Sequence, residues 1–193
     1  MKTFTRVEPT ITQQFGKKFI RTAVIKHFQT EDGEKHEFTT FQKEFSKDVA
    51  VLALTTDLQV IISYQFRPGP ERWLYELPGG DLLDNEAPEV GARRELHEET
   101  GYTSETFQLL GTAARNAYTN ETTHYYVAHG CSLASTGQIL DEEERAQGLE
   151  VRLISIHELI DYAKHGLMTD GIAVLMAYDK LKELIHGTTK KSY

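Results

Sequence analysis

Residues 49–55 and 60–66 form two nearly unbroken apolar runs, separated only by a turn at Thr56-Asp57. Two such runs so close together read as neighbouring central strands of a sheet. The stretches around them alternate in character. Residues 73–77 read as a short strand ended by Pro78-Gly79-Gly80, and residues 88–100 as a helix, with Pro88 in the first turn and Gly101 just past the end. Residues 107–113, 123–129 and 150–156 read as further strands, and residues 141–148 as an acidic, exposed loop. Ser155 and Glu158 form a capping box for a helix to about Lys164, and Asp170 is expected to cap a last helix to about Ile185. Strands with helices between and after them predict a layered α/β fold.

The first part of the chain differs. Residues 18–28 are rich in β-branched and aromatic side chains, Glu31-Asp32-Gly33 supplies a turn, and residues 36–41 return as a second strand. Such a hairpin has few large apolar residues and needs another surface to cover it. We therefore expect an N-terminal β-subdomain over residues 1–45 that packs on a partner subunit, followed by a main domain over residues 46–193.

Bulk properties narrow the function classes. A length of 193 residues suits one core domain with a small appendage. A formal charge of -8 disfavours nucleic acid and anionic lipid as partners. Cys131 is the single cysteine, so an internal disulfide and a cysteine-based zinc site are both excluded. No run reaches the ~18 apolar residues of a bilayer span, and Met1 to Gly16 lacks a signal-type apolar run. A cytoplasmic location is expected.

The chemistry concentrates on the helix of residues 88–100. On a helical wheel Glu95, Glu98 and Glu99 share an arc of about 100°. Gly91 lies on that arc one to two turns earlier and leaves the approach open; Ala92 and Leu96 lie beside it, able to pack on a sheet. Like charges repel at these spacings; Arg94 relieves part of that, and a divalent cation would relieve more. Clustered carboxylate oxygens suit hard cations such as Mg2+ or Mn2+. Taken alone, the triplet reads first as a solvated acidic face balanced by Arg93 and Arg94.

The wider spacing is more specific. Gly80 is followed by five residues and Glu86, then seven residues and Arg94-Glu95-Leu96, one residue, Glu98-Glu99, one residue and Gly101. This resembles the Nudix box at every fixed position; only the last differs, with Tyr102 where the family prefers Val, Leu or Ile. The resemblance implies a Nudix α/β/α sandwich with a mixed central sheet, and a loop–helix–loop that binds Mg2+, with Mn2+ as a possible substitute, and a diphosphate. It implies Glu95 and Glu99 as metal ligands, and Glu98 as a ligand or a residue acting through bound water. Arg94 would orient the carboxylates, Glu86 brace the loop, and the carbonyl of Gly79 or Gly80 supply a further ligand.

Tyr64-Gln65-Phe66-Arg67-Pro68, Trp73 and Tyr75-Glu76-Leu77-Pro78-Gly79-Gly80 are similar to the stretch before the box in ADP-ribose pyrophosphatases and related nucleotide-sugar hydrolases, with Gly79 in place of an Ala. This implies that Arg67 touches substrate phosphates, that Glu76 contacts substrate or braces the loop, and that Trp73 stacks on a base or simply packs. Residues 140–144 and 149–151 resemble the subgroup's acidic loop and following strand, which matches Glu142 to a general base and Glu144 to a metal-side residue. Extra residues 145–148 precede the strand here. The subgroup's Pro after the box is absent from residues 111–118, which implies another sugar or broad tolerance. His97, His124 and His129 read as surface or core histidines.

The expected activity is Mg2+-dependent hydrolysis of the pyrophosphate of ADP-ribose or a related nucleoside diphosphate sugar, giving a nucleoside monophosphate and a sugar phosphate. The alternatives are a non-hydrolytic ADP-ribose-sensing domain and a hydrolase of dinucleoside polyphosphates or coenzyme A; an isomerase of the same fold finds no matching cysteine motif. The resemblance also implies a homodimer whose N-terminal strands help form the partner's pocket.

Overall fold

The computed structural model describes residues 2–17, 20–42 and 47–189. The chain divides into two compact units: residues 1–47 with 113–123, and residues 48–112 with 124–193. The boundary expected at residues 45 and 46 lies outside the described residues.

The first unit is a three-stranded antiparallel sheet in which β2 (Arg21–Thr30) lies between β1 (Phe4–Phe15) and β3 (Lys35–Gln42). The expected hairpin is β2–β3, turning at Gly33 with φ +85°; Lys18, where its first strand was expected to begin, lies outside the described residues. The strand β1 was not anticipated. All its residues but one are exposed, so it lacks the period-two burial that marks a half-buried strand. Phe4, Phe28, His36 and Phe38 gather on the sheet as edge-to-face, tilted and stacked rings. Residues 113–123 join this unit, where the Phe41 N–H donates to the Tyr118 carbonyl at 2.8 Å.

The second unit is an α/β layer structure on a mixed eight-stranded sheet. Its central strands are β4 (Lys47–Thr55) and β5 (Val60–Arg67), the two apolar runs, paired antiparallel. β6 (Arg72–Glu76) pairs with β5, and β7 (Gly79–Asp81) with β4. The Pro78-Gly79-Gly80 segment, expected only to end a strand, thus starts a new one. Close approach explains the glycine: a Cβ on Gly79 would lie 2.1 Å from the Val49 carbonyl oxygen.

The helix α1 (Pro88–Thr100) follows. Beyond it come β8 (Tyr102–Thr103), β9 (Thr106–Ala114) and β10 (Thr122–Leu133), then α2 (Glu142–Ala146), β11 (Glu150–Ile154), α3 (Ile156–Lys164), α4 (Gly171–Met176) and α5 (Tyr178–Thr189). The sheet runs β11-β5-β4-β10-β8, with β9 beside β10. Alternation along β4 sends Val49, Val51 and Ala53 to one face, where they pack with Ala92 and Leu96 of α1, Leu82, Tyr126 and Cys131. Leu52 and Leu54 point the other way and are equally buried. Their burial demands a second layer; Leu159, Val174 and Leu181, on the helices after β11, are buried as well.

Two expectations need correction. The acidic segment at residues 141–148 is not a simple loop: Asp141 caps α2 in a capping box with Glu144, whose carboxylate accepts the Asp141 N–H at 2.6 Å. Four consecutive acidic residues hid the local Asp-x-x-Glu signature, which is itself a helix start. Asp170 does not cap with its side chain, and the last helix is broken at Ala177 into α4 and α5. The Asp170 carboxylate instead accepts the Leu77 N–H at 3.2 Å and the Thr169 hydroxyl at 2.8 Å, pinning the bend between β6 and β7.

Candidate active site

Helix α1 is placed by both its ends. Pro88 begins it without a side-chain cap, and Gly101 ends it at φ +73° with its N–H on the His97 carbonyl. The segment after β10 then covers the last turn: the Ile139 N–H donates to the Glu98 carbonyl at 2.8 Å and the Gln138 amide to the Glu99 carbonyl at 2.6 Å. His97 turns away to pair with Thr136 at 2.7 Å.

The carboxylates on this helix do not share one environment. Glu95 and Glu99 are buried, and with Glu144 of α2 they bring one oxygen each to within 4.8 Å of one another. Glu98 lies outside this group, half-exposed, with Arg94 Nη1 at 3.0 Å. Arg94 is the hub. It makes a fork on Glu86 at 2.9 and 2.8 Å, reaches Glu95 at 2.6 Å, and donates to the Asp81 carbonyl at 3.0 Å. Glu86 also accepts the Leu83 N–H at 2.9 Å, which closes the loop between β7 and α1. Ser63, in the middle of β5, donates to Glu99 at 2.8 Å.

Burial dominates the electrostatics. It pushes the Glu95 carboxyl up to about 7, and the Glu98 and Glu144 charges add to this against the opposing Arg94. It holds Glu99 well above the usual carboxylate range; the Ser63 hydroxyl and the Gly79 N–H pull the other way, while Glu95 and Glu144 raise it further. Glu144 is also raised, chiefly by burial. Burial and mutual repulsion thus work against ionising all three carboxyls. A divalent cation on their oxygens removes the repulsion and supplies the missing charge, and an all-oxygen donor set is what hard cations take.

Two glycines shape the cluster. A Cβ on Gly80 would lie 2.7–2.9 Å from the Glu95 carboxylate atoms, so only glycine lets that carboxyl sit against β7. Gly91 does not leave the approach open as expected: a Cβ there would meet Leu82 at 2.2 Å and Glu86 at 3.0 Å. Its space is filled by the loop packing down on the helix.

A second polar group sits at the ends of β5 and β6. Arg67 pairs with both oxygens of the buried Glu76 through Nε and Nη2, and its Nη1 donates to Gln147 at 2.9 Å. Gln65, also buried, is 3.4 Å from Glu76. Ser63 and Glu76 are cross-strand partners and face the same way. Trp73 does not. It pairs with Phe66 on the opposite face, stacks on Tyr64 at 5.2 Å, and would be 3.1 Å from a Cβ on Gly148. Glu142 is exposed on α2. Gly79 meets the cluster through its N–H on Glu99. Sequence reading missed Ser63, Gln138 and Gln147, and gave Asp170 a different role, that of a helix cap. None has a motif of its own; only the pairing of strands and the return of the chain bring them in.

Residues 45–173 match the model of the NUDIX domain family. The chain is 32% identical over 182 residues to the methanol dehydrogenase activator of Bacillus methanolicus, covering 89% of this chain and 96% of that one. It is 36% identical over 140 residues to the ADP-ribose pyrophosphatase of Bacillus subtilis (strain 168), covering 72% and 75%. A solved structure described as an ADP compounds hydrolase superposes with a TM-score of 0.73 at 15% identity over 94% of this chain and 95% of that one, a likeness of fold. The carboxylate-bearing helix, its bracing loop and the sheet that positions them are thus those of a NUDIX domain, and the chain belongs to the NUDIX family.

Proposed function

We propose that the protein hydrolyses the pyrophosphate bond of ADP-ribose or a related nucleoside diphosphate sugar, giving a nucleoside monophosphate and a sugar phosphate. The observation that carries this reading is the convergence of Glu95, Glu99 and Glu144 within 4.8 Å on a NUDIX scaffold. Relatives named ADP-ribose pyrophosphatase and ADP-sugar pyrophosphatase support the substrate class.

Glu95, Glu99 and Glu144 would hold Mg2+, or Mn2+ in its place. A bound dication neutralises phosphate charge and makes water in the site more acidic. The protein's own groups do the rest. Arg94 holds Glu95 and Glu98 in register, with Glu86 as its counterweight and Gly80 and Gly101 shaping the loop and the helix end. The carbonyl at Gly79 remains a candidate ligand. Glu98, on the open side of the helix, and Glu142, on the exposed turn of α2, are the proton-accepting groups, with Glu142 assigned as general base. Arg67, with its guanidinium oriented by Glu76, matches phosphate oxygens as a fork of donors. Trp73 serves as packing in its own subunit; any contact it makes with a base would be outside the carboxylate face.

We further propose a cytoplasmic homodimer, with no nucleic acid or membrane partner. Exposed Phe4, Ile11, Phe15, Phe38 and Phe41 on the N-terminal sheet favour a covering subunit. Among the described residues no helix is long and apolar enough to cross a membrane.

The test is a panel of ADP-ribose, ADP-glucose, GDP-mannose, diadenosine polyphosphates and coenzyme A with Mg2+, read by phosphatase-coupled phosphate release. Turnover of a nucleoside diphosphate sugar above the others is expected. Saturable binding of ADP-ribose with no turnover would assign a sensing role instead. The relative named methanol dehydrogenase activator, matched over nearly its full length, favours a second reading in which the chain activates a dehydrogenase. Under that reading a methanol dehydrogenase turns over faster when the protein is added.

A further inference from the structure

Glu144 reaches the buried Glu95–Glu99 pair from a helix that cannot hold itself in place. α2 has five residues and none of them is buried. A single helical turn is unstable on its own, so its position must come from its anchors. At its start the anchor is local, the capping box between Asp141 and Glu144. At its end Gly148 and Leu149 bond back to the Arg145 and Glu144 carbonyls, and Gln147 makes the link to β5. The Gln147 carbonyl accepts the Phe66 N–H at 3.0 Å, and its N–H donates to the Glu143 carbonyl at 2.9 Å. Its side-chain oxygen accepts from Arg67 Nη1 at 2.9 Å, and its side-chain nitrogen donates to the Glu143 carboxylate at 3.0 Å.

These four bonds join two parts of the site that are otherwise separate. The main-chain bonds fasten the end of α2 to the end of β5. The side chain spans from Glu143, next to Glu144, to the guanidinium that Glu76 already orients from its other edge. We infer that Gln147 is a positioning residue, which sets Glu144 against the Glu95–Glu99 pair and ties that setting to the orientation of Arg67. Its turnover readout rests on the hydrolytic function proposed above; its metal readout does not. The extra residues before β11, 145–148, thereby acquire a purpose: they give the chain enough length for Gln147 to reach Arg67 while Leu149 returns to the core, with its N–H on the Glu144 carbonyl at 3.1 Å.

The probe is Mn2+, titrated into the full chain and followed by the electron paramagnetic resonance of the free ion. Gln147→Met keeps the length of the side chain and removes both of its hydrogen bonds. Outer partners of metal ligands typically govern affinity by 10- to 100-fold, so Mn2+ binding and kcat should each fall by roughly tenfold or more. The melting temperature should stay within about 3 °C of the parent. In a Glu144→Gln background the same substitution should change Mn2+ affinity less than about twofold, because the residue it positions is already disabled. Where the Met variant melts far below the parent, Gln147→Glu replaces it under the same criteria, since it keeps an acceptor facing Arg67 and makes the Glu143 contact repulsive. Unchanged Mn2+ affinity in the single variant overturns the inference, and so does an undiminished effect in the Glu144→Gln background. A parent that binds Mn2+ yet cleaves no nucleoside diphosphate sugar would sink the functional reading while the Mn2+ cycle still decides the role of Gln147.

Discussion

Ser63 and Glu99 meet at 2.8 Å across 36 residues of sequence, a buried hydroxyl from the middle of a central strand donating to a buried carboxylate on the helix. The bond favours the ionised carboxylate, in opposition to burial. Ser63→Ala leaves that oxygen without its donor. A hydrogen bond to a charged group is worth about 1.5–3 kcal/mol. The Mg2+ concentration for half-maximal activity should therefore rise roughly tenfold. Saturating Mg2+ should restore most of the rate. A titration of activity against Mg2+ checks it, and an unshifted midpoint contradicts it.

Arg94 holds Glu86, Glu95 and Glu98 at once. Arg94 is part-buried, and removing it strands the carboxylates it joins, Glu95 being buried; a charge-assisted hydrogen bond of this kind is worth about 1.5–3 kcal/mol. Arg94→Ala should lower stability by that order in denaturant unfolding, with the loss smaller at acidic pH. Arg94→Lys should recover little, because an ammonium cannot make the fork on Glu86 and still reach two further carboxylates. Recovery of full stability by the lysine variant would show that charge alone matters at this position.

Gly80→Ala separates site from scaffold. The new methyl group falls within 2.7–2.9 Å of the Glu95 carboxylate, the movable end of a side chain, so the helix can stay while the carboxyl is pushed aside. We expect a loss of activity of roughly 100-fold, as for a displaced reacting group, with a melting temperature lowered by only a few degrees. Gly91→Ala should do the reverse, since its methyl group meets buried Leu82 at 2.2 Å; there stability suffers first. Equal effects of the two substitutions on activity and melting would contradict this division.

The parts of the molecule that were legible in the sequence share a cause. β4 and β5 announce themselves because both faces are buried, and α1 because Pro88 and Gly101 punctuate it and Ala92 and Leu96 face the core. The capping box at Ser155 and Glu158 appears as expected. β1 was illegible because its burial is not periodic within this chain. Ser63 was illegible for the opposite reason: in a run of buried residues a serine looks like filler until the helix is laid across it. The fork between Arg67 and Glu76 required the register of β5 against β6, in which Arg67 faces Arg72 and Glu76 faces Ser63. The same register turns Trp73 to the other side of the sheet, a matter of parity that spacing along the chain does not reveal before the pairing is known.

The raised carboxyls also make stability depend on pH in an unusual direction. An acid whose pKa is higher in the folded state than in the unfolded chain binds more protons when folded, so stability falls as pH climbs through the interval between the two values. For Glu95 the interval runs from 4.5 to about 7, and Glu99, raised by burial, contributes in the same direction. Glu86 and Glu158 are shifted downward, so their contribution is complete before this interval begins. Chelator-treated protein should therefore lose stability between about pH 5 and pH 8, with Glu95 alone accounting for about 3 kcal/mol. Mg2+ should restore melting temperature strongly at pH 8 and hardly at pH 5, where a proton competes with the ion for the Glu95 carboxyl. Glu95→Gln should flatten the metal-free profile and remove most of the Mg2+ response. Differential scanning fluorimetry across this pH range, with chelator and with Mg2+, reads all three curves; a metal-free melting temperature that holds level or climbs from pH 5 to pH 8 would mean that these carboxyls are not forced together in the folded protein.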